Sequence, residues 1–448
     1  MSRHINCFPR FTAFTMRQYR FGYKEPRPGS ALQPAVTTAR RMIYVCNDIP
    51  HTHPRAAAMN VLFVHFGDDW VAGSEIALLE LMRALIEKNV RPYLWCNSPV
   101  MEQAARKIGV AVERDTFVHA FDYSSPPFSP SAYMRLCRRG KEMIARSSAN
   151  IVHCNSAAPA QWMLPACRNT VPLLVNSHSH YHRRSRYVLG VHLADRVVTV
   201  SSAIAQPFLE DGMRADRIAV VYNGFDFDAL MRGDARGLRA ELGISPDAVV
   251  GVVAGSLIHR KGHDILFGAM KTGAVRPFPL LVVGDGPERA AYEKEAAGLP
   301  VHFLGYRNDI GAILRDAADF LVAPSRREAF GRVIIEAGFA GIPAVGTRVD
   351  GIPEAIQEGV TGLLVPPEMP EALGAAITQL LDDEPLRRRM GLAAKIRAME
   401  FSIDRTAAAM LEQYRTAIQR YATRPLRGER LIPYWNYAAS ILTALIPL

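Results

Sequence analysis

The segment Ser325-Arg-Arg-Glu-Ala-Phe-Gly-Arg-Val-Ile-Ile-Glu336 is where chemistry-bearing residues lie densest in this chain. It follows an apolar run, Phe320–Ala323, that reads as a strand, so Glu328 falls in the loop at a strand's carboxyl end. Phe330–Gly331 open a helix, whose first N–H groups lack intrahelical partners and can face an anion. Glu336 lies on that helix a little over one turn in. Two carboxylates eight residues apart, astride a helix N-terminus, suit a ligand carrying both a phosphate and sugar hydroxyls. The carboxylates accept from hydroxyls while the N–H groups take the phosphate. For an isolated pair, a capping Glu and an ordinary helical Glu would be the plainer account. The punctuation around this pair counts against it. Gly341-Ile-Pro343, Gly346-Thr-Arg-Val-Asp-Gly351-Ile-Pro-Glu354 and Gly359-Val-Thr-Gly362 put glycines in loops, where φ > 0 and close approach of backbone to a ligand are both open. Gly284-Asp-Gly-Pro287, after Leu280–Val283, is a further loop at a strand end; it reads equally well as a plain turn with Pro starting a helix.

Such groups need elements that hold them in place, and the chain supplies two similar series. From Met59 the pattern runs strand, Gly-containing turn, helix, strand: Val61–His65, then helical periodicity over Ser74–Glu87, then Arg91–Cys96. Further strand-like runs are Asn150–Cys154, Pro172–Asn176, Arg196–Val200 and Ala219–Tyr222, with helical stretches between them. After Asn223–Gly224 and a charged stretch to Gly243, a second series begins at Val249–Ala254. It continues through Leu280–Val283, His302–Leu304, Phe320–Ala323 and Ala344–Gly346. Alternating strands and helices predict doubly wound parallel sheets. Two sequential Rossmann-like α/β units, over 59–235 and 236–405, predict a cleft between domains, with ligands bound outside the carboxyl ends of the strands.

With these motifs in view, the sequence from Met59 to about Tyr421 resembles the family 4 glycosyltransferases, retaining enzymes of the GT-B fold. The family's E-x7-E element is present as Glu328 and Glu336, and Gly341–Pro367 resembles its donor-site segment. Val220–Asp226 resembles its interdomain segment, and Ala72–Glu75 its N-terminal Gly-Gly-Ala-Glu loop. The resemblance implies two domains with parallel sheets facing a central cleft: an acceptor domain over 59–235 and a nucleotide-sugar donor domain over 236–405. A helix over 406–422 crosses back to the first. It implies that Glu336 holds the ribose hydroxyls and Glu328 the donor sugar. The Phe330–Gly331 backbone lies near that sugar and the diphosphate, and Lys261 binds the diphosphate. Ser325 and Gly284 belong to the same donor loops, and Gly73 brings backbone close to donor and acceptor. His178 faces the anomeric centre, with His180 as the fallback. One position departs from the pattern. Where the family often carries an Arg beside the diphosphate, this chain has Ser256, and Arg260 next to Lys261 is the candidate replacement. Losing one cation from a pyrophosphate site costs roughly 1.5–3 kcal/mol if nothing replaces it.

The implied reaction is transfer of a sugar, of hexosyl type, from a nucleotide-sugar to a glycan or lipid-linked acceptor, with the anomeric configuration retained. Surface polysaccharide, lipopolysaccharide or glycolipid synthesis is the expected setting. Lys261 and helix N–H groups would stabilise the departing diphosphate without a metal or other cofactor. Two other readings are a silent GT-B protein that binds a nucleotide-sugar, and a GT-B epimerase or hydrolase. Asp226-Phe-Asp228 spells a D-x-D metal motif but falls in the interdomain segment and reads as turn and helix-cap chemistry. The His residues of His178–His182 lack Cys or carboxylate partners at ligand spacing. No G-x-G-x-x-G follows the first strand, which argues against a nicotinamide enzyme.

Bulk properties bound the rest. The 448 residues carry a net charge of +10, of which residues 1–58 hold +7 (eight Arg, one Lys, one Asp, one Glu). A basic extension on a near-neutral body is weak evidence for nucleic acid, and none is expected as a partner. That extension reads as a disordered segment, a targeting peptide, or the product of a start placed before Met59. Arg135, Arg138, Arg139, Lys141 and Arg146 read as a solvated helix face; His182–Arg186 reads as a candidate border of the acceptor cleft. Six cysteines without metal or C-x-x-C spacing read as reduced, mostly buried thiols. With no long apolar run near the N-terminus, a cytoplasmic enzyme is expected. The uncharged tail within 423–448 offers peripheral contact with the membrane's inner face, or packs on the body.

Overall fold

Short runs of Val, Leu, Ile and Phe that are buried on both faces form most of the strands, as in sheets covered by helices on each side. The structure, a computed structural model, describes residues 58–68, 73–117 and 129–423. The basic extension to residue 57, Ala72 of the Ala72–Glu75 loop, and the apolar tail from residue 424 with its reading as a membrane contact lie outside the described residues.

The first sheet contains β1 (Met59–His65), β2 (Val90–Cys96), β3 (Ala111–Arg114), β4 (Ile151–Cys154), β5 (Leu173–Ser177), β6 (Arg196–Thr199) and β7 (Ile218–Val220), in the order β3-β2-β1-β4-β5-β6-β7. The second contains β8 (Gly251–Ala254), β9 (Leu280–Val283), β10 (Val301–Gly305), β11 (Phe320–Ala323), β12 (Ala344–Thr347) and β13 (Gly362–Val365), in the order β10-β9-β8-β11-β12-β13. Every pairing is parallel. Strand order reverses between β1 and β4 in one sheet and between β8 and β11 in the other. At such switch points the flanking helices diverge and leave a crevice at the carboxyl ends. The edge strands β3 and β13 escape the sequence pattern. β3 is four residues of alternating exposure, and β13 emerges from a glycine-rich loop.

The helix Gly73–Glu87 buries Leu78, Leu81, Met82 and Leu85 against the first sheet. The helix Ile403–Ala422 covers the same face with Ala407, Met410, Leu411 and Tyr414, and the Tyr414 hydroxyl lies 2.7 Å from His153 Nδ1 on β4. Packing changes hands earlier than residue 235. Phe225 and Phe227 already pack in the cluster built on the second sheet. The chain crosses between the domains twice, side by side: Phe225 N–H donates to the Phe401 carbonyl at 3.0 Å, and Ile403 N–H donates to the Phe225 carbonyl at 3.0 Å. Gly224 is needed at this crossing, because a side chain there would meet the Ile403 Cα at 2.7 Å.

Glu354, from the Gly351-Ile-Pro-Glu354 turn, fastens the domains a second way. Its carboxylate accepts from the Ser202 and Ala203 N–H groups at 3.0 and 3.1 Å, capping a helix of the first domain, and from the Tyr222 hydroxyl at 2.9 Å. Cys96, Cys137, Cys154 and Cys167 are buried thiols, and burial pushes Cys96 up to about 12. Among the described residues no helix is long and apolar enough to cross a membrane.

Candidate functional site

The loops after β8 and β11, which flank the second sheet's switch point, press against each other. Gly262, at φ +70°, passes so close to the Pro324 carbonyl that no side chain fits. This contact brings Lys261, at the end of the His259–Lys261 turn, onto Glu328, and its ammonium donates to Glu328 Oε2 at 2.5 Å. Both side chains are largely buried. Burial pushes the Glu328 carboxyl upward, but Lys261 outweighs it and holds the group below the usual carboxylate range. The Glu328 backbone is clamped by the next loop: its N–H donates to Asp350 Oδ2 at 3.0 Å, and its carbonyl accepts from Gly351 N–H at 3.0 Å. Asp350 adopts φ +43°, a left-handed conformation that costs a non-glycine residue of order 1–3 kcal/mol. Three bonds around it, including Arg327 Nε at 3.0 Å, keep it there.

The helix Arg332–Ala340 begins at Gly331, which takes φ +84° as its N-cap. Glu336 sits inside its second turn, and burial raises its carboxyl above the usual range against the pull of Arg332. Arg332 was not singled out by the sequence. Its guanidinium donates to Glu80 of the first domain at 2.9 Å and to the Gly224 carbonyl at 3.3 Å. It also approaches Glu336 at 3.8 Å and lies 4.2 Å over the Phe225 ring. Lys261, His263, Ser325, Glu328, Gly331 and Ile334 line one crevice. His263 was also missed; its ring lies against Tyr292, and burial pushes its pKa down to about 4.

The remaining donor-side candidates differ in what holds them. Ser256 is exposed beside the crevice. Arg260 is exposed too, and its guanidinium donates to the Arg327 carbonyl at 2.8 Å, so it braces the Glu328 loop. The cation packed between the two largely buried carboxylates Glu80 and Glu336 is Arg332. Gly284, at φ +141°, is a glycine because it abuts the Gly255 carbonyl, a loop-packing reason. Ser325 is buried, and its carbonyl accepts from the Thr347 hydroxyl at 2.5 Å. Phe330 is anchored by its ring, which stacks on Tyr222 with centroids 5.3 Å apart. Gly73 starts its helix within reach of Arg332: a Cβ placed there would lie 3.5 Å from the Arg332 Cδ.

Across the cleft, His178 directly follows β5, and its Nε2 lies 3.0 Å from Asn155 Oδ1. Loss of solvent pushes the ring down to about 3, aided by the nearby His65 ring and the charge of Arg332. His180, the fallback, turns instead to the second domain, with Nε2 3.1 Å from Asp350 Oδ1. Asp226 accepts from Ala229 N–H at 2.9 Å and caps the helix Phe227–Leu230. No group of His, Cys, Asp and Glu suited to a metal ion occurs among the described residues. In the basic run after His178, Arg186 is buried and paired with Asp211 at 2.7 Å, which makes it a structural residue and removes it from any acceptor border. Arg139 is likewise tied to Asp115 at 2.9 Å and Glu142 at 3.0 Å on its helix face.

Two parallel α/β domains that meet at the carboxyl ends of their strands define the GT-B architecture. HepE of Anabaena, solved in complex with UDP and glucose, shares it with a TM-score of 0.68 at 22% identity, over 80% of this chain and 100% of that one. A glycosyltransferase from Rickettsia africae gives a TM-score of 0.71 at 21% identity, over 81% of this chain and 100% of that one. The D-inositol 3-phosphate glycosyltransferase of Segniliparus rotundus is 36% identical over 226 residues, 48% of this chain and 50% of that protein. Its counterpart in Streptomyces scabiei is 34% identical over 230 residues, 48% and 52% of the respective chains. The chain thus spans about half the length of the curated relatives it matches. The family model Glycosyl transferases group 1 matches residues 234–397, and Glycosyltransferase Family 4 matches residues 71–229. The chain belongs to the family 4 glycosyltransferases of group 1.

Proposed function

We propose that the protein transfers a hexosyl group, with retention, from a nucleotide-sugar to a glycan or lipid-linked acceptor. The observation that carries this reading is Lys261 set against Glu328 at the second sheet's switch point, with Glu336 on the adjoining helix. An ammonium has three donors, so Lys261 can keep Glu328 and still meet a diphosphate oxygen. Together with the N–H groups at the Gly331 helix end, it offsets the negative charge that grows as the diphosphate leaves, so the reading calls for no metal. Glu336 accepts from the ribose hydroxyls and Glu328 from the donor sugar. His178, on the opposite wall, acts next to the anomeric centre. Front-face attack, with the leaving phosphate taking the acceptor's proton, preserves the configuration. The UDP bound by HepE supports the donor class, and the name shared by the curated relatives supports glycosyl transfer.

The test is to incubate the protein with a panel of nucleotide-sugars, with and without glycan and glycolipid acceptors. Nucleoside diphosphate release and the product's anomeric configuration are then read out. Acceptor-dependent release with retained configuration is expected; an inverted product would remove the retaining mechanism. Ser256 in the usual Arg position favours a second reading, a silent nucleotide-sugar binder, and binding without any release would establish it.

A further inference from the structure

A line of polar side chains runs from His178 through the floor of the first domain. His178 Nε2 lies 3.0 Å from Asn155 Oδ1, and Asn155 Nδ2 lies 3.4 Å from His65 Nδ1 and 3.5 Å from the Ser74 carbonyl. His65 Nε2 lies 3.4 Å from Glu75 Oε1, an electrostatic contact with the oxygen off the axis of a good hydrogen bond. The Ser74 hydroxyl donates to Glu75 Oε2 at 2.9 Å. Asn155, His65 and Glu75 are all buried. The line crosses the first sheet's switch point, since His65 ends β1 and Asn155 follows β4.

Proton positions along this line follow from its end. The Glu75 carboxylate can only accept, which favours the proton on the neighbouring His65 Nε2. Burial lowers the His65 pKa from its ordinary value and favours the neutral ring, whose other nitrogen, Nδ1, is then an acceptor. Asn155 must therefore turn its amide nitrogen to His65 and its oxygen to His178. That oxygen accepts only, so His178 Nε2 donates, and His178 Nδ1 is left with a lone pair and no proton. Nδ1 is buried and has no hydrogen-bond partner among the described residues. A buried polar atom without a partner is costly and calls for one.

We propose that Glu75, acting through His65 and Asn155, fixes His178 as the Nε2–H tautomer, so that Nδ1 accepts a hydrogen bond from a substrate hydroxyl. This rests on the reading of His178 as a wall of the sugar site and adds a selection rule to it. A hydroxyl or N–H fits at this nitrogen, and an anionic group does not. Asn155, His65 and Glu75 are positioning residues, acting on substrate only through His178.

The tautomers can be read directly. Full-length protein labelled with ¹⁵N-histidine gives long-range ¹H–¹⁵N spectra that report which ring nitrogen is protonated, with signals assigned by single His→Gln variants. Nε2–H is expected for both His65 and His178 in the unsubstituted protein. Asn155→Asp makes position 155 an acceptor on both sides, so His65, with Glu75 still at its Nε2, should gain a proton on Nδ1 as well, while His178 keeps its tautomer. Asn155→Leu breaks the line, and His178 should then show both forms. Thermal melts check that each variant is folded, and the unsubstituted protein carries the test if either is not. His178 found as Nδ1–H, or both rings unchanged in both folded variants, would overturn the proposal. A failure of the transferase reading looks different: the ring assignments hold, but no nucleotide-sugar is turned over.

Discussion

The two sheets place their polar residues at equivalent points and fill them with opposite chemistry. At the second sheet's switch point the site is ionic: Lys261 on Glu328, with Arg332 between Glu80 and Glu336. At the first sheet's it carries neutral rings and an amide, His178, Asn155 and His65, with both rings lowered in pKa by burial. Topology decides where a ligand can lie in such folds; side-chain type decides which part of it lies there. An ionic wall suits a departing diphosphate, and a neutral hydrogen-bonding wall suits sugar hydroxyls around a centre that becomes positively charged. Contacts such as His180–Asp350 and Arg332–Glu80 tie the two walls together.

The largest effect should come from the neutral wall. His178→Ala is expected to lower turnover by roughly 10²–10⁴-fold, the range of a positioned catalytic group. Nucleotide affinity, set by the other wall, should barely move. A stable variant that keeps most of its turnover would erase the division of labour between the walls. On the ionic wall, Glu336→Ala should weaken binding of the preferred nucleoside diphosphate by about 1.5–3 kcal/mol through lost ribose hydrogen bonds, measured by calorimetry.

The two carboxylates of the E-x7-E element should also part company in stability. Glu336 is raised by burial, so its charge is a cost to the empty protein at neutral pH, and Glu336→Gln should raise the melting midpoint. That gain should shrink as pH falls through the carboxylate range and wild-type Glu336 protonates in both states. Glu328 is lowered despite burial, so its charge contributes stability above the unfolded carboxylate pKa that is lost as pH falls through the folded value. Glu328→Gln should therefore lower the midpoint at neutral pH. Melting curves at neutral and mildly acidic pH check both; the same sign for both variants would show that their environments do not differ as described. The smallest effect concerns metal: turnover should be unchanged by EDTA, and activity lost to chelator and restored by Mg²⁺ or Mn²⁺ would show that Lys261 and the helix end do not suffice.

Much of this frame is legible in the sequence because it is local. Leu280–Val283 and Phe320–Ala323 are dense apolar runs bounded by turn residues, and both are strands. The E-x7-E spacing likewise reports one loop and one helix. What escapes is set by contacts between distant residues. Arg332 lies in plain view inside the element, but its importance comes from Glu80, far away in the chain. Asn155 and His65 are 90 residues apart and meet only because β1 and β4 pair. Asp350 reads as a turn residue until the Glu328 N–H and His180 are seen to converge on it. Arg260 illustrates the reverse: adjacent to Lys261 in sequence, it points along the loop to a carbonyl.

What Lys261 binds is the centre of the donor site. Thermal melts of the unsubstituted protein and of Lys261→Ala, each with a panel of nucleoside diphosphates, test it in one experiment. A ligand at a hundredfold excess over its Kd stabilises the native state by about 2.7 kcal/mol, enough to move the midpoint clearly. At least one nucleoside diphosphate should raise the midpoint of the unsubstituted protein, and the same compound at the same concentration should raise that of Lys261→Ala far less. No shift with any nucleoside diphosphate, or an equal shift in both proteins, would contradict it.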